Sequence, residues 1–150
     1  MVTPHCYIGI DPGVSGAIAY HSQIITAEHE FKLLDTPHAI IDYLSWIAAV
    51  HGQPVAYIER VSAMPGQGVA STFKFGRHYG WCECALAAAR VPFERVTPAK
   101  WQGAMKCRTR GDKNVTKARA LELFPDAHVT HATADALLIA EYCRRTWGKA

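Results

Sequence analysis

The sequence predicts an α/β domain built on a mixed sheet, and three observations carry that prediction. Two continuous apolar runs, residues 6–10 and 55–58, read as strands buried on both faces, as central or parallel strands are. Between and after them, apolar residues recur at helical spacing. The resulting order is three strands, helix, strand, helix, strand and then helices, which is an α/β order rather than an all-β or all-α one. A chain of 150 residues is one domain's worth, long enough to bury a single core.

Each element has its own signals. Residues 6–10 form the first strand, ended by the turn residues Pro12 and Gly13. Residues 16–20 and 23–30 continue as a meander, joined by a tight turn at His21-Ser22. Thr36-Pro37 is a helix start, a capping hydroxyl followed by proline in the first turn. Ile40, Ile41, Leu44, Ile47 and Ala48 trace one face of that helix, which ends before Gly52 and Pro54. Residues 55–58 are the second central strand, and 60–68 are a loop by composition. A helix follows over about 71–90, with Gly76 and Gly80 on one face, where another backbone can approach closely. Residues 93–96 are a short strand, 98–105 an irregular turn or short helix, and 107–111 a polar loop. Asp112 caps a helix whose inward face is Val115, Ala118, Leu121 and Phe124, and the last helix spans about 132–147.

Composition narrows the function classes. No apolar run approaches the roughly 18 residues of a membrane span. The amino terminus lacks a basic segment followed by a hydrophobic stretch, so no secretory signal is expected. Five cysteines form no C-x-x-C pair; Cys82-x-Cys84 is read as ordinary thiols rather than half a metal site, and a reducing cytoplasmic compartment is expected. Charge is unevenly spread. Residues 95–119 hold eight basic residues against one acid, a local +7 that leaves −4 for the rest of a chain totalling +3. A solvated face explains such a run as readily, but its position between two acidic sites favours a polyanion path.

Those acids carry the chemistry. Asp11, Glu59 and Asp135 each stand at the edge of a segment that should be buried. An ionised carboxylate there costs several kcal/mol unless it is paired or binds metal. His131 precedes Asp135 by four residues and shares its face if the helix already includes it. Three carboxylates and an imidazole suit Mg²⁺ or Mn²⁺ better than a structural zinc. Two such ions about 3.5–4 Å apart can activate water and stabilise a leaving oxygen. Singly, each residue has a plainer reading. Asp11 serves as a turn former, Glu59 as a partner of Arg60 or Lys74, and His131 as a loop histidine, with His128 equally available.

Four stretches together carry a family resemblance: Ile8-Gly9-Ile10-Asp11-Pro12-Gly13, Tyr57-Ile58-Glu59, residues 64–80, and the run from His131 through Asp135 to Tyr142. The chain resembles the RuvC family of Holliday junction resolvases, and its bacteriophage branch in particular. The resemblance implies a ribonuclease-H-like fold, Mg²⁺-dependent endonuclease activity with two ions per site, and a homodimer nicking a four-way DNA junction symmetrically. It needs no small-molecule cofactor and no membrane.

Residue by residue, Asp11, Glu59 and Asp135 fall on the family's catalytic acids, and His131 falls on a fourth metal ligand. The four-residue interval before Asp135 is that of phage-type members; the bacterial interval of three would land on Ala132. Lys100 and Lys113 fall near lysines that the family sets beside the scissile phosphate, with Lys106 a rival to Lys100. The loop after Glu59 enters the junction in this family. Here it offers Met64, Pro65 and Gln67 but places Val61 and Ser62 where bacterial members have an aromatic. Met64 is the remaining apolar wedge, while Phe73 and Phe75 are read as core. DNA contacts are expected from Met64, Gln67, Lys74, Arg77, Lys106, Arg108, Arg110 and Lys117.

Other classes remain in view. Actin-like and sugar-kinase ATPases begin with a similar apolar-Gly-x-Asp-x-Gly segment, but need a second domain and a second phosphate loop. A non-catalytic nucleic-acid binding module fits poorly with intact acids, which repel DNA in the absence of metal. Cleavage of RNA–DNA hybrids or other branched DNA is the nearest rival among nucleases.

Overall fold

The computed structural model describes residues 3–23, 28–32 and 36–149. The elements are β1 (Cys6–Asp11), β2 (Ala17–Ser22), β3 (Glu28–Lys32), α1 (Pro37–His51), β4 (Pro54–Glu59), α2 (Val69–Ala88), β5 (Phe93–Val96), α3 (Pro98–Ala104), α4 (Lys113–Leu123) and α5 (Ala134–Thr146). The five strands form one sheet in the order β3-β2-β1-β4-β5. β1 is antiparallel to β2 and parallel to β4; β5 extends the parallel half. This is the mixed, helix-flanked sheet of the ribonuclease-H-like fold.

Side-chain alternation divides the central strands between two cores. Ile8, Ile10, Ala56 and Ile58 face the side where Ile40, Leu44 and Ile47 of α1 and Cys82, Ala85 and Leu86 of α2 pack. Tyr7, Val55 and Tyr57 face the other side, against α5 with Ala136, Leu137 and Ala140. By the same alternation Asp11 and Glu59 project on the α5 side. Position 9 is where α5 crosses β1. A Cβ on Gly9 would lie 2.2 Å from the Ala136 carbonyl oxygen and 2.3 Å from the Ala140 nitrogen, so no larger residue fits beneath that helix.

Capping follows the sequence signals. Thr36 accepts a hydrogen bond from the Ala39 backbone at 3.3 Å, and Asp112 accepts one from Asn114 at 2.9 Å. Several expectations need correcting. His21 and Ser22 are not a turn. They lie within β2, opposite Tyr7 and Cys6, because pairing with β1 carries the strand past them. The strand expected over 23–30 is described only from Glu28, where β3 begins; residues 24–27 lie outside the described residues.

Of the expected inward face of α4, Phe124 is buried and Val115 packs partly buried against the core, but Ala118 and Leu121 face outwards, Leu121 being 41 % exposed, and Thr116 and Ala120 are buried in their stead. A Cβ on Gly76 or Gly80 would meet nothing within 4 Å, so no described part of the chain packs against the positions their side chains would take. Cys82 is buried and Cys84 exposed, which places the two thiols in different surroundings. Among the described residues, no helix is long and apolar enough to cross a membrane.

Candidate active site

Asp11 ends β1 and Glu59 ends β4, and the two strands run parallel side by side, in register up to Ile10 and Ile58. Their carboxylates therefore share one end of the sheet. Asp135 enters from the first turn of α5, where the helix macrodipole favours a negative charge. Because α5 lies on Gly9, its first turn sits beside the end of β1. Burial pushes the Asp11 carboxyl well above the usual carboxylate range, and the charges of Glu59 and Asp135 push it further. Burial likewise raises Glu59, to about 7, with Asp135 adding to the rise and Trp101 and Lys113 opposing it. Asp135 is raised by burial and lowered by the Thr116 side chain and by the Lys113 ammonium. The three acids thus sense one another, and Lys113 is the cation that all three sense.

One hydrogen bond fixes this group from behind. The indole Nε1–H of buried Trp101 donates to Glu59 Oε2 at 2.7 Å. Thr116, buried on the inward face of α4, comes up beside Asp135 and lowers its carboxyl, while its hydroxyl donates to the Lys113 carbonyl at 3.3 Å. Neither residue stood out in the sequence. Trp101 was legible only as an isolated large aromatic in an otherwise basic stretch, and Thr116 carried no signal. Glu59 does not pair with Arg60 or Lys74, the alternatives open from sequence; its partner is Trp101.

His131 is placed differently from the expectation. α5 begins at Ala134, so His131 lies in the preceding turn, exposed, and does not share a helix face with Asp135. Thr130 and Thr133 hold that turn through reciprocal backbone-to-hydroxyl bonds at 3.0 and 3.2 Å, which stop the helix from extending backwards. The His131 Nε2 lies 2.9 Å from Asn114 Oδ1, beside Lys113 at the start of α4.

A crevice of about 360 Å³ opens onto Asp11 and is lined by Gln67, Lys74, Phe75 and Lys113 together with the 12–16 turn. Gly13, at φ +118°, lets that turn pass under the Phe75 ring, which a Cβ there would meet at 2.8 Å. Met64 lines a neighbouring cavity. Arg77 lies further along α2 with its guanidinium 5.0 Å from the Trp81 ring. Lys106, Arg108 and Arg110 are exposed between α3 and α4, and Lys117 is one turn beyond Lys113. Lys100 is exposed on α3. Phe73, expected in the core, is 70 % exposed, whereas Phe75 is half-buried.

The donor chemistry fits a hard divalent cation. Asp135 Oδ1 is buried without a hydrogen-bond partner, and mutual repulsion among carboxylates is what a bound cation relieves. Among the described residues, no three or more His, Cys, Asp or Glu side chains are grouped so that they could hold one ion, so the structure does not assemble the four-ligand set expected of Asp11, Glu59, His131 and Asp135.

No protein-family model and no curated protein matches the chain. Its fold does match solved structures. RuvC of T. thermophilus, in complex with a Holliday junction substrate, superposes with a TM-score of 0.64 at 16 % identity, covering 94 % of this chain and 96 % of that one. A second Thermus thermophilus RuvC structure gives 0.61 at 17 % identity, with 90 % of each chain covered. The likeness spans nearly the whole chain and establishes the RuvC-like fold.

Proposed function

We propose that this protein is a metal-dependent endonuclease that resolves four-way DNA junctions. The observation that carries this reading is the convergence of Asp11, Glu59 and Asp135 at one end of a RuvC-like sheet, beside Lys113 and a crevice lined by further cations. One of the similar structures holds a Holliday junction, which supports branched DNA as the substrate class. The four-residue interval from His131 to Asp135 supports the bacteriophage branch.

In this reading Asp11, Glu59 and Asp135 hold Mg²⁺, with Mn²⁺ as a substitute and His131 at the rim of the site. The chemistry two such ions supply is activation of water and stabilisation of the leaving oxygen. The chain's residues do the rest. Trp101 holds the Glu59 carboxylate in place. Lys113 stabilises charge developing on the phosphate, and Lys100 or Lys106 approaches from α3 and its exit. Gln67, Lys74, Arg77, Arg108, Arg110 and Lys117 contact the DNA backbone. Met64, 67 % exposed at the loop tip, wedges a base step at the branch point. Two symmetric nicks require two copies of the site, and the uncovered strip at Gly76 and Gly80 is where a second copy's backbone can approach.

Asp11→Asn and Glu59→Gln test this reading. Each should abolish Mg²⁺-dependent nicking while leaving junction binding in Ca²⁺ intact or tighter, because a negative charge near the phosphates is removed. Near-normal nicking by either variant would remove that residue from the site. His131→Ala should slow nicking, whereas His128→Ala should be nearly silent.

A further inference from the structure

Beside the acidic crevice lies a second cavity of about 610 Å³, within the roughly 300–1,000 Å³ of small-molecule sites. Its floor is the carboxyl end of the parallel half of the sheet, where Glu59 pairs with Val96 and the Arg60 backbone N–H donates to the Val96 carbonyl at 2.7 Å. Met64, Phe75 and Pro98 supply apolar walls, and Arg60, Gln67 and Thr97 supply the polar groups.

Gln67 and Phe75 line both this cavity and the Asp11–Lys113 crevice, so they form a partition between the two. A nucleotide has this division of chemistry, with an anionic phosphate on one side and a flat, hydrogen-bonding ring on the other. Among the described residues, the Arg60 guanidinium has no ion-pair partner and keeps its planar set of donors. Gln67 spends its carbonyl oxygen on the Met64 N–H at 3.3 Å, which leaves the amide N–H₂ available. Arg60 and the Gln67 amide therefore offer donors, beside the Ser62 and Thr97 hydroxyls, which can donate or accept.

We propose that this cavity receives one unstacked nucleobase of the strand whose phosphate lies over the acids, and that Arg60 selects guanine there. The proposal rests on the nuclease reading above. Guanine presents two adjacent acceptors, O6 and N7, to a bidentate arginine. Phe75 and Pro98 give the ring flat apolar walls. Unstacking is least costly where pairing is already broken, as at a branch point.

The test is single-turnover nicking, in Mg²⁺, of four-way junctions that differ only in the nucleotide flanking the scissile phosphate. Wild type should nick the guanine junction about tenfold faster than the others, the discrimination a good arginine–guanine contact provides. Arg60→Ala should bring guanine down to the rate of the other bases. Arg60→Gln should shift the preference towards adenine, whose N6 and N7 match a glutamine amide. Both variants should unfold at the wild-type temperature, since Arg60 is exposed and uses only its backbone N–H in the fold. Equal rates for all bases in wild type, or a guanine preference that survives in Arg60→Ala, would overturn the pocket alone. Failure of wild type to nick any junction would overturn the nuclease reading and the pocket with it.

Discussion

Two of the helices that flank the parallel strands, α2 and α5, are treated in opposite ways. α5 is buried along most of its length and lies on β1 so closely that only glycine fits at position 9. The first half of α2 is left open. Val69 is 88 % and Phe73 70 % exposed, and the glycines at 76 and 80 have nothing against them. The contrast separates two surroundings. The acids sit on the closely packed side, with Trp101 holding Glu59. The proposed DNA-contacting residues of α2 sit on the side that the described chain does not cover.

Substituting glycines on the two sides tests that separation most severely. Gly9→Ala should destabilise the fold by at least about 3 kcal/mol, the upper range for overpacking, because backbone rather than a flexible side chain must move. Urea unfolding midpoints measure this. A variant within 1 kcal/mol of wild type, as an order-of-magnitude threshold for a tolerated core change, would mean that α5 does not rest on β1 as described.

The next effect is electrostatic. Glu59 is raised to about 7 from an unfolded value near 4.5, so between those values the folded protein keeps a proton that the unfolded chain has released. Stability from this group is therefore fully present below about 4.5 and lost as pH rises through about 7, by up to about 3 kcal/mol. Asp11 and Asp135 are raised in the same direction. In metal-free buffer, thermal unfolding should fall across that window. Glu59→Gln should flatten the fall, and Mg²⁺ should restore stability at the alkaline end. A slope unchanged in Glu59→Gln would show that this carboxyl is not held in the repulsive cluster.

A smaller change is expected from Trp101→Phe, which removes the donor to Glu59 Oε2. Losing a hydrogen bond to a buried carboxylate costs about 1–3 kcal/mol. Titration calorimetry should show Mn²⁺ binding weakened by about tenfold at pH 7. Unchanged affinity would reduce Trp101 to a packing residue. The smallest effect is on the open side. Gly76→Ala should stabilise the isolated chain by about 0.5–1 kcal/mol through helix propensity alone. A destabilised monomer would reveal a contact on that face.

How much of this was legible in advance follows from which signals are local. The strands holding Asp11 and Glu59 announced themselves as apolar runs ending in an acid, and their shared end of the sheet followed from the α/β order. Thr36-Pro37 and Asp112 marked helix starts by chemistry that acts within one turn. The site's supports were not local. Trp101 reaches Glu59 across 42 positions of chain, and Thr116 reaches Asp135 from another helix. No periodicity reports such pairings. His131 shows the same limit at short range. The i, i+4 spacing was correct, but the Thr130–Thr133 turn ends the helix before it can place both residues on one face. Phe73 was misjudged because hydrophobic character alone does not tell a core position from an exposed one.

The central claim is that the rigid acidic cluster cuts branched DNA presented to it by the open α2 side. The most direct measurement compares, under single-turnover conditions in Mg²⁺, cleavage of a synthetic four-way junction and of an RNA–DNA hybrid duplex by wild type and by Asp135→Asn. The account predicts paired nicks near the branch point of the junction, little cutting of the hybrid, and loss of nicking in the variant. Preferential cutting of the hybrid, or junction nicking that persists in Asp135→Asn, would contradict it.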